Sequence, residues 1–275
     1  MHKVLVLDID GTLTNSSKMI TPKTRDAIMA AQSRGVKVVL ASGRPTRGLR
    51  RYEKELDLEE NGGFLLSFNG ARLTKSCGDE LIYERTLEKE DVARIYDEVM
   101  DMNVGMISYH KDYIFTDSPV DEYMRLEARI NGMEIRNVPD FMEHIKFPVN
   151  KCLLTAPDDE ARYCMEYLSD KYVKAYEEAG KTPHYNIYRS EPFFVEVMPL
   201  NIDKAATLEE LCKYMGIDRT DLVCCGDGYN DVSMIRYAGV GVAMANARDE
   251  VKAVADFVTG SNDEDGIVTV IDKYF

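Results

Sequence analysis

Three short stretches, KVLVL (3–7), VKVVLA (36–41) and DLVCC (221–225), are nearly unbroken apolar runs, each followed by turn formers and then by helical periodicity. A strand with one solvated face alternates apolar and polar side chains; a continuous run fits a strand buried on both faces, as in a parallel sheet covered by helices. Thr21 and Pro22 supply the N-cap and first helical position of one intervening helix, and Gly35 closes it. Strand, helix, strand is therefore the repeating unit. In sheets built that way ligands bind beyond the carboxyl ends of the strands, which is where Asp8, Ser42 and Asp227 fall.

The fold expected is α/β, a doubly wound, mostly parallel Rossmann-like sheet, interrupted once. Between about Tyr83 and Val197 the pattern changes to paired runs such as VGMISYH and DYIFT around a short turn, with Tyr-rich segments between helices. Local pairing of that kind suggests an α+β insertion. The strand-helix alternation resumes near Asp203. The expected organisation is a core in two parts, 1–82 and 198–275, with an inserted α+β cap, 83–197, that selects the substrate.

Composition narrows the function. With 45 % hydrophobic and 30 % charged residues the chain can bury a substantial core. A formal charge of −14 argues against a nucleic-acid surface, which needs clustered Lys and Arg, and against anionic membranes. The apolar start MHKVLVLD is too short for a signal-peptide core, and no run approaches a membrane span. The six cysteines show no CxxC spacing and lie mostly in apolar segments, and the four histidines form no ligand pattern. These features point to a cytoplasmic protein with reduced cysteines.

The adjacent carboxylates of DIDGT (8–12) need a further explanation, because like charges two residues apart repel and glycine alone would make the turn. Hydrolysis of a phosphate monoester requires a nucleophile, charge neutralisation and a proton for the leaving oxygen. Two nearby carboxylates can divide the first and last tasks, and Mg²⁺ would offset their repulsion.

The sequence resembles the haloacid dehalogenase-like (HAD) phosphatases, specifically the Cof-type bacterial sugar phosphatases. DIDGTLT (8–14), ASGRP (41–45), DKAA (203–206) and GDGYND (226–231) match that family's four motifs in order, and FNGA (68–71), GVGVAMANA (239–247) and SNDEDGI (261–267) look like subgroup signatures. The resemblance implies an Mg²⁺-dependent phosphomonoesterase acting on small-molecule phosphate esters, most of all sugar phosphates, through an aspartyl-phosphate intermediate. It makes Asp8 the nucleophile and a metal ligand, and Asp10 the acid/base whose backbone carbonyl also binds metal. Asp227 completes the protein ligands; an oxygen-only set suits Mg²⁺ better than zinc. Asp231 is an outer-shell residue or a partner of Lys204, whose ammonium would neutralise phosphoryl oxygens. Ser42 and the Gly43 N–H are expected to bind phosphate, as is the Asn230 amide, with helix capping as its rival role. Arg44 is equally suited to a salt bridge and to substrate. Two other functions remain open: a phosphomutase on a sugar phosphate, and a non-catalytic phosphate-ester-binding regulator.

Overall fold

The computed structural model describes residues 2–275. The chain divides into two compact units, one made of Arg85–Ile202 and the other of the segments before and after it, ending at Glu84 and resuming at Asp203. The divisions expected from sequence were 82/83 and 197/198. The strand Leu81–Glu84 stays paired with Arg72–Lys75 up to Glu84, and Phe194–Pro199 stays paired with Tyr185–Glu191 up to Pro199, so hydrogen bonding carries both crossings further along the chain.

The first unit is built on an eight-stranded sheet in the order Phe257–Val258, Val240–Ala243, Leu222–Gly226, Val4–Leu7, Lys37–Ala41, Phe64–Ser67, Arg72–Lys75, Leu81–Glu84. The first six run parallel and the last two join antiparallel. Val4, Leu5, Val6 and Leu7 are all fully buried, as the continuous apolar run requires of a central strand. From Val4–Leu7 the chain winds outward in one direction and later returns to lay Leu222–Gly226 on the opposite side. That reversal is a topological switch point, where the connections diverge and leave a crevice at the strand ends. Leu7 is level with both Leu40 and Cys225, so Asp8, Ser42 and Asp227 leave the sheet at nearly the same height.

The first helix, Pro22–Ser33, begins as expected: the Thr21 side chain accepts the Thr24 N–H, and Pro22 occupies the first turn. The helix after ASGRP starts only at Thr46, with Pro45 as its cap, so Ser42 and Gly43 precede it. Their loop is closed by the Arg44 N–H on Ser42 Oγ at 3.2 Å.

The second unit is a six-stranded sheet in the order Tyr185–Glu191, Phe194–Pro199, Cys152–Thr155, Gly105–His110, Tyr113–Thr116, Glu134–Asn137, antiparallel except for its last pair. The runs VGMISYH and DYIFT form its hairpin, turning at Lys111 with φ +53°. Its apolar core joins Val92, Ile95 and Val99 of the helix Lys89–Val99 and Ala161, Cys164 and Leu168 of Asp158–Ser169 to Cys152, Leu154, Val195 and Val197. Buried polar groups lie elsewhere in the unit: Lys151 pairs with Glu196 at 3.3 Å, Tyr188 donates to Glu196 at 2.9 Å, and Tyr109 donates to Glu127 at 2.9 Å. Arg189 is tied to Asp158. Among the described residues, no helix is long and apolar enough to cross a membrane.

Candidate active site

Asp8 lies at the carboxyl end of the central strand and is only 6 % exposed. Its N–H donates to the Cys225 carbonyl at 3.0 Å, continuing the sheet pairing one residue beyond the strand. The chain then curls back on itself, Leu13 N–H donating to Asp8 O at 3.1 Å and Thr14 N–H to Ile9 O at 3.0 Å. Gly11 makes that curl possible. Its φ is +90°, and a Cβ there would come within 2.4 Å of Asp227 Oδ2. Two of the three subgroup signatures fasten the loop: Asn246 Nδ2 donates to Gly11 O at 2.8 Å, Asn262 Nδ2 donates to Thr14 O at 2.9 Å, and Asp263 receives both the N–H and the hydroxyl of Ser16.

Lys204 is the centre of the charge arrangement. Asp203 caps the helix Lys204–Met215, accepting the Ala206 N–H at 2.9 Å, and this sets Lys204 in the first turn. The lysine is fully buried and uses its three ammonium hydrogens on Asp8 Oδ1 at 2.7 Å, Asp231 Oδ1 at 2.6 Å and the Ala41 carbonyl at 2.8 Å. Burial disfavours its charged form, but Asp231 and Asp8 outweigh that and raise its pKa. The Asp8 carboxyl is pushed up by burial first and by Asp231 second, against the pull of Lys204.

Carboxylate oxygens of Asp8, Asp227 and Asp231 lie within 4.8 Å of one another. Asp231 is already engaged on both oxygens, since Oδ1 takes Lys204 and Oδ2 accepts the N–H groups of Asp227 at 3.0 Å and Gly228 at 2.9 Å. It therefore holds the loop that carries Asp227. Asp227 Oδ1 accepts Thr12 Oγ1 at 2.8 Å; burial, against that hydrogen bond, raises the Asp227 carboxyl to about 6. Three carboxylates gathered within 4.8 Å, with one ammonium that contacts two of them, leave excess negative charge in a largely buried place. A hard cation fits such a set, whose donors are all oxygen.

Asp10, two residues beyond Asp8, is gripped differently. Arg44 Nε donates to its Oδ2 at 2.7 Å and Arg44 Nη2 to Oδ1 at 2.9 Å, a two-point fork joined by Lys18 Nζ at 2.9 Å. Burial alone would raise the Asp10 carboxyl, but the Arg44 hydrogen bonds and charge, with Lys18 behind them, hold it down at about 2.

Ser42 is buried, and its carbonyl accepts the Asn69 N–H at 3.0 Å. Asn230 donates its amide to Asn69 Oδ1 at 3.0 Å, and the helix Val232–Tyr237 that follows has no side-chain cap, so Asn230 does not cap it; Asp231 instead ties the preceding turn through the Gly228 N–H. Sequence reasoning passed over three residues now seen at this site. Thr12 and Asn69 sit inside quoted motifs but carried no chemistry by type, and Lys18 reaches Asp10 through a turn at φ +59° that its spacing does not reveal.

The chain is similar to known proteins in both sequence and fold. The family model described as haloacid dehalogenase-like hydrolase matches residues 5–271. The chain belongs to the haloacid dehalogenase-like hydrolases. A crystal structure of such a hydrolase from Bacteroides thetaiotaomicron superposes with a TM-score of 0.92 at 40 % identity over 100 % of both chains. The 5-amino-6-(5-phospho-D-ribitylamino)uracil phosphatase YcsE of Bacillus subtilis is 31 % identical, covering 98 % of this chain and 94 % of its own. The HAD subclass IIB sugar phosphatase BT4131 superposes with a TM-score of 0.77 at 27 % identity, over 99 % of this chain and 98 % of its own. This hydrolase is accordingly an enzyme of the phosphoric monoester hydrolase class, and its doubly wound sheet with an inserted α+β unit is the family's fold.

Proposed function

We propose that this enzyme hydrolyses sugar phosphates or closely related polyol phosphates, with Asp8 as nucleophile and Asp10 as acid and base. The observation that carries this reading is the buried Lys204 held between Asp8 and Asp231 at the switch point of the sheet. An ammonium so placed fixes one Asp8 oxygen and offers positive charge to an arriving phosphoryl group. Asp8 attacks phosphorus, the ester oxygen leaves, and an aspartyl phosphate forms; water then attacks that phosphorus and returns Asp8. Ser42, the Gly43 N–H and the Asn230 amide bind the phosphoryl oxygens.

Asp10 gives a proton to the departing alkoxide and takes one from the attacking water. Held by Arg44, its carboxylate is ready as a base; to act as an acid it must exchange part of that contact for a proton. Asp8, Asp227 and the Asp10 backbone carbonyl would hold Mg²⁺, with Asp231 behind them as loop anchor and Lys204 partner. When bound, the ion would neutralise charge on the phosphoryl oxygens. Leaving-group selection is assigned to the Arg85–Ile202 unit, because every motif named above lies outside it. The relatives that act on a ribityl phosphate and on sugar phosphates support a polyol leaving group.

Asp10→Asn tests the reading. A sugar alkoxide is strongly basic, so general acid help should be worth roughly 10²–10⁴-fold, whereas p-nitrophenolate leaves readily without it. Pre-steady-state kinetics at saturating Mg²⁺ should show a much larger loss of the phosphorylation rate on a hexose phosphate than on p-nitrophenyl phosphate. Equal losses would remove Asp10 from the acid role. A second expected result concerns the ion: chelator should abolish wild-type turnover, and Asp227→Ala should shift Mg²⁺ activation to far higher concentrations. Full activity in metal-free buffer would refute the metal assignment.

A further inference from the structure

Residues 68–70 form the most unusual backbone in the first unit. Phe68, Asn69 and Gly70 have φ of +52°, +54° and +106°, three successive residues in the left-handed region, two of them not glycine. The segment is tied down at several points. Phe68 N–H donates to Arg44 O at 2.9 Å and Asn69 N–H to Ser42 O at 3.0 Å, fastening it to the ASGRP loop. Thr207 Oγ1 donates to Gly70 O at 2.6 Å, and a Cβ on Gly70 would stand 2.6 Å from Asp203 O, so it also abuts the start of the Lys204 helix. Such a turn persists only because its surroundings over-determine it.

What it holds in place is the Asn69 carboxamide. A Cβ on Gly43 would lie 3.0 Å from Asn69 Oδ1 and 3.1 Å from Nδ2, so the amide rests against the Gly43 backbone. The same Oδ1 accepts Asn230 Nδ2 at 3.0 Å. Asn230 Oδ1 is turned the other way, over Gly228, where a Cβ would come within 2.7 Å. The two hydrogens of a planar amide diverge at a fixed angle, so committing one to Asn69 fixes the direction of the other.

Building on the phosphate role proposed above for Asn230, we propose that Asn69, seated against the Gly43 backbone, is a positioning residue that aims the Asn230 amide at the phosphoryl group. Without it the Asn230 carboxamide is at liberty to rotate and present its oxygen, a hydrogen-bond acceptor, to an anion. Asn69 thus joins loops that follow two different strands, Lys37–Ala41 and Leu222–Gly226.

Asn69→Gly separates this role from a structural one, since glycine accepts the left-handed conformation and lacks only the amide. On the intact chain at saturating Mg²⁺, the inhibition constant of inorganic phosphate should rise roughly tenfold, the size of one well-made hydrogen bond. The unfolding temperature should hold or rise. In an Asn230→Ala background the same change should add less than about twofold, because both substitutions remove one coupled element. Unchanged phosphate affinity in Asn69→Gly, with affinity lost in Asn230→Ala, would overturn the positioning role and leave the phosphate reading intact. Fully additive losses would also overturn it. Wild-type affinity in Asn230→Ala itself would overturn the phosphate role of Asn230 and the inference with it.

Discussion

Asp8→Asn is expected to lose at least about 10⁴-fold in kcat on every phosphomonoester, since removing the nucleophile of a covalent mechanism leaves only binding and electrostatic help. The fold should survive. Asparagine matches the shape of aspartate, Lys204 keeps Asp231 and the Ala41 carbonyl as acceptors, and the strand behind position 8 is fully buried whichever residue follows it. Burial raises the Asp8 carboxyl above its ordinary value, so its charge is held there at a cost in the metal-free chain. For a carboxyl with a raised folded pKa, stability is fully present at low pH and declines as pH rises above the unfolded value of about 3.9. In the absence of metal, Asp8→Asn should therefore unfold at a temperature equal to or above that of wild type at pH 7. A folded Asp8→Asn protein that retained more than about one per cent of wild-type kcat would remove Asp8 from the nucleophile role.

Lys204→Met should damage both stability and turnover. Methionine fills much of the same volume but leaves Asp8 and Asp231 facing each other without the ammonium that now lies 2.7 Å from one and 2.6 Å from the other. Removing one partner of a buried ion pair typically costs about 3–5 kcal/mol, because the remaining charge stays dehydrated and unpaired. The Asp231 anchor would weaken with it, loosening the Asp227 and Gly228 N–H groups that Asp231 holds. Urea unfolding should show the stability loss, and turnover should fall by several orders of magnitude even where the protein remains folded. Adding Asp8→Asn to Lys204→Met should restore part of the stability by removing one of the two opposed charges, without restoring activity. A Lys204→Met enzyme as stable as wild type would mean that the buried trio contributes little to the fold.

The sheet was legible because burial on two faces writes itself into sequence as continuous apolar runs, and strand ends then mark where Asp8, Ser42 and Asp227 emerge. The order of the strands was not legible, because the run DLVCC carries no sign that it returns beside KVLVL rather than at an edge. Lys204 could be named from its motif and its place at a helix start, but its threefold contact spans residues 8, 41 and 231 and depends on tertiary packing alone. Arg44 was undecided for a similar reason: a guanidinium reaches far, and only the folded loop shows its fork closing on Asp10. Asn69 was hidden more deeply. Its contribution depends on three consecutive left-handed residues; Asn69 and Gly70 are types that tolerate such a conformation, but nothing in sequence announces it at Phe68. In the second unit, no local periodicity distinguishes the buried Lys151 and Glu196 from solvated charges.

A covalent phosphate carried by Asp8 is the central step of this chemistry, and rapid quenching of Asp10→Asn with a phosphorus-labelled aryl phosphate tests it most directly. This variant should still be phosphorylated by a good leaving group yet be slow to activate water, so label should accumulate on the protein in a burst approaching one phosphate per chain. Borohydride reduction of the trapped acyl phosphate, followed by peptide mapping, should find homoserine at position 8. A burst of free phosphate with no bound label, or label mapped to any other residue, would contradict it.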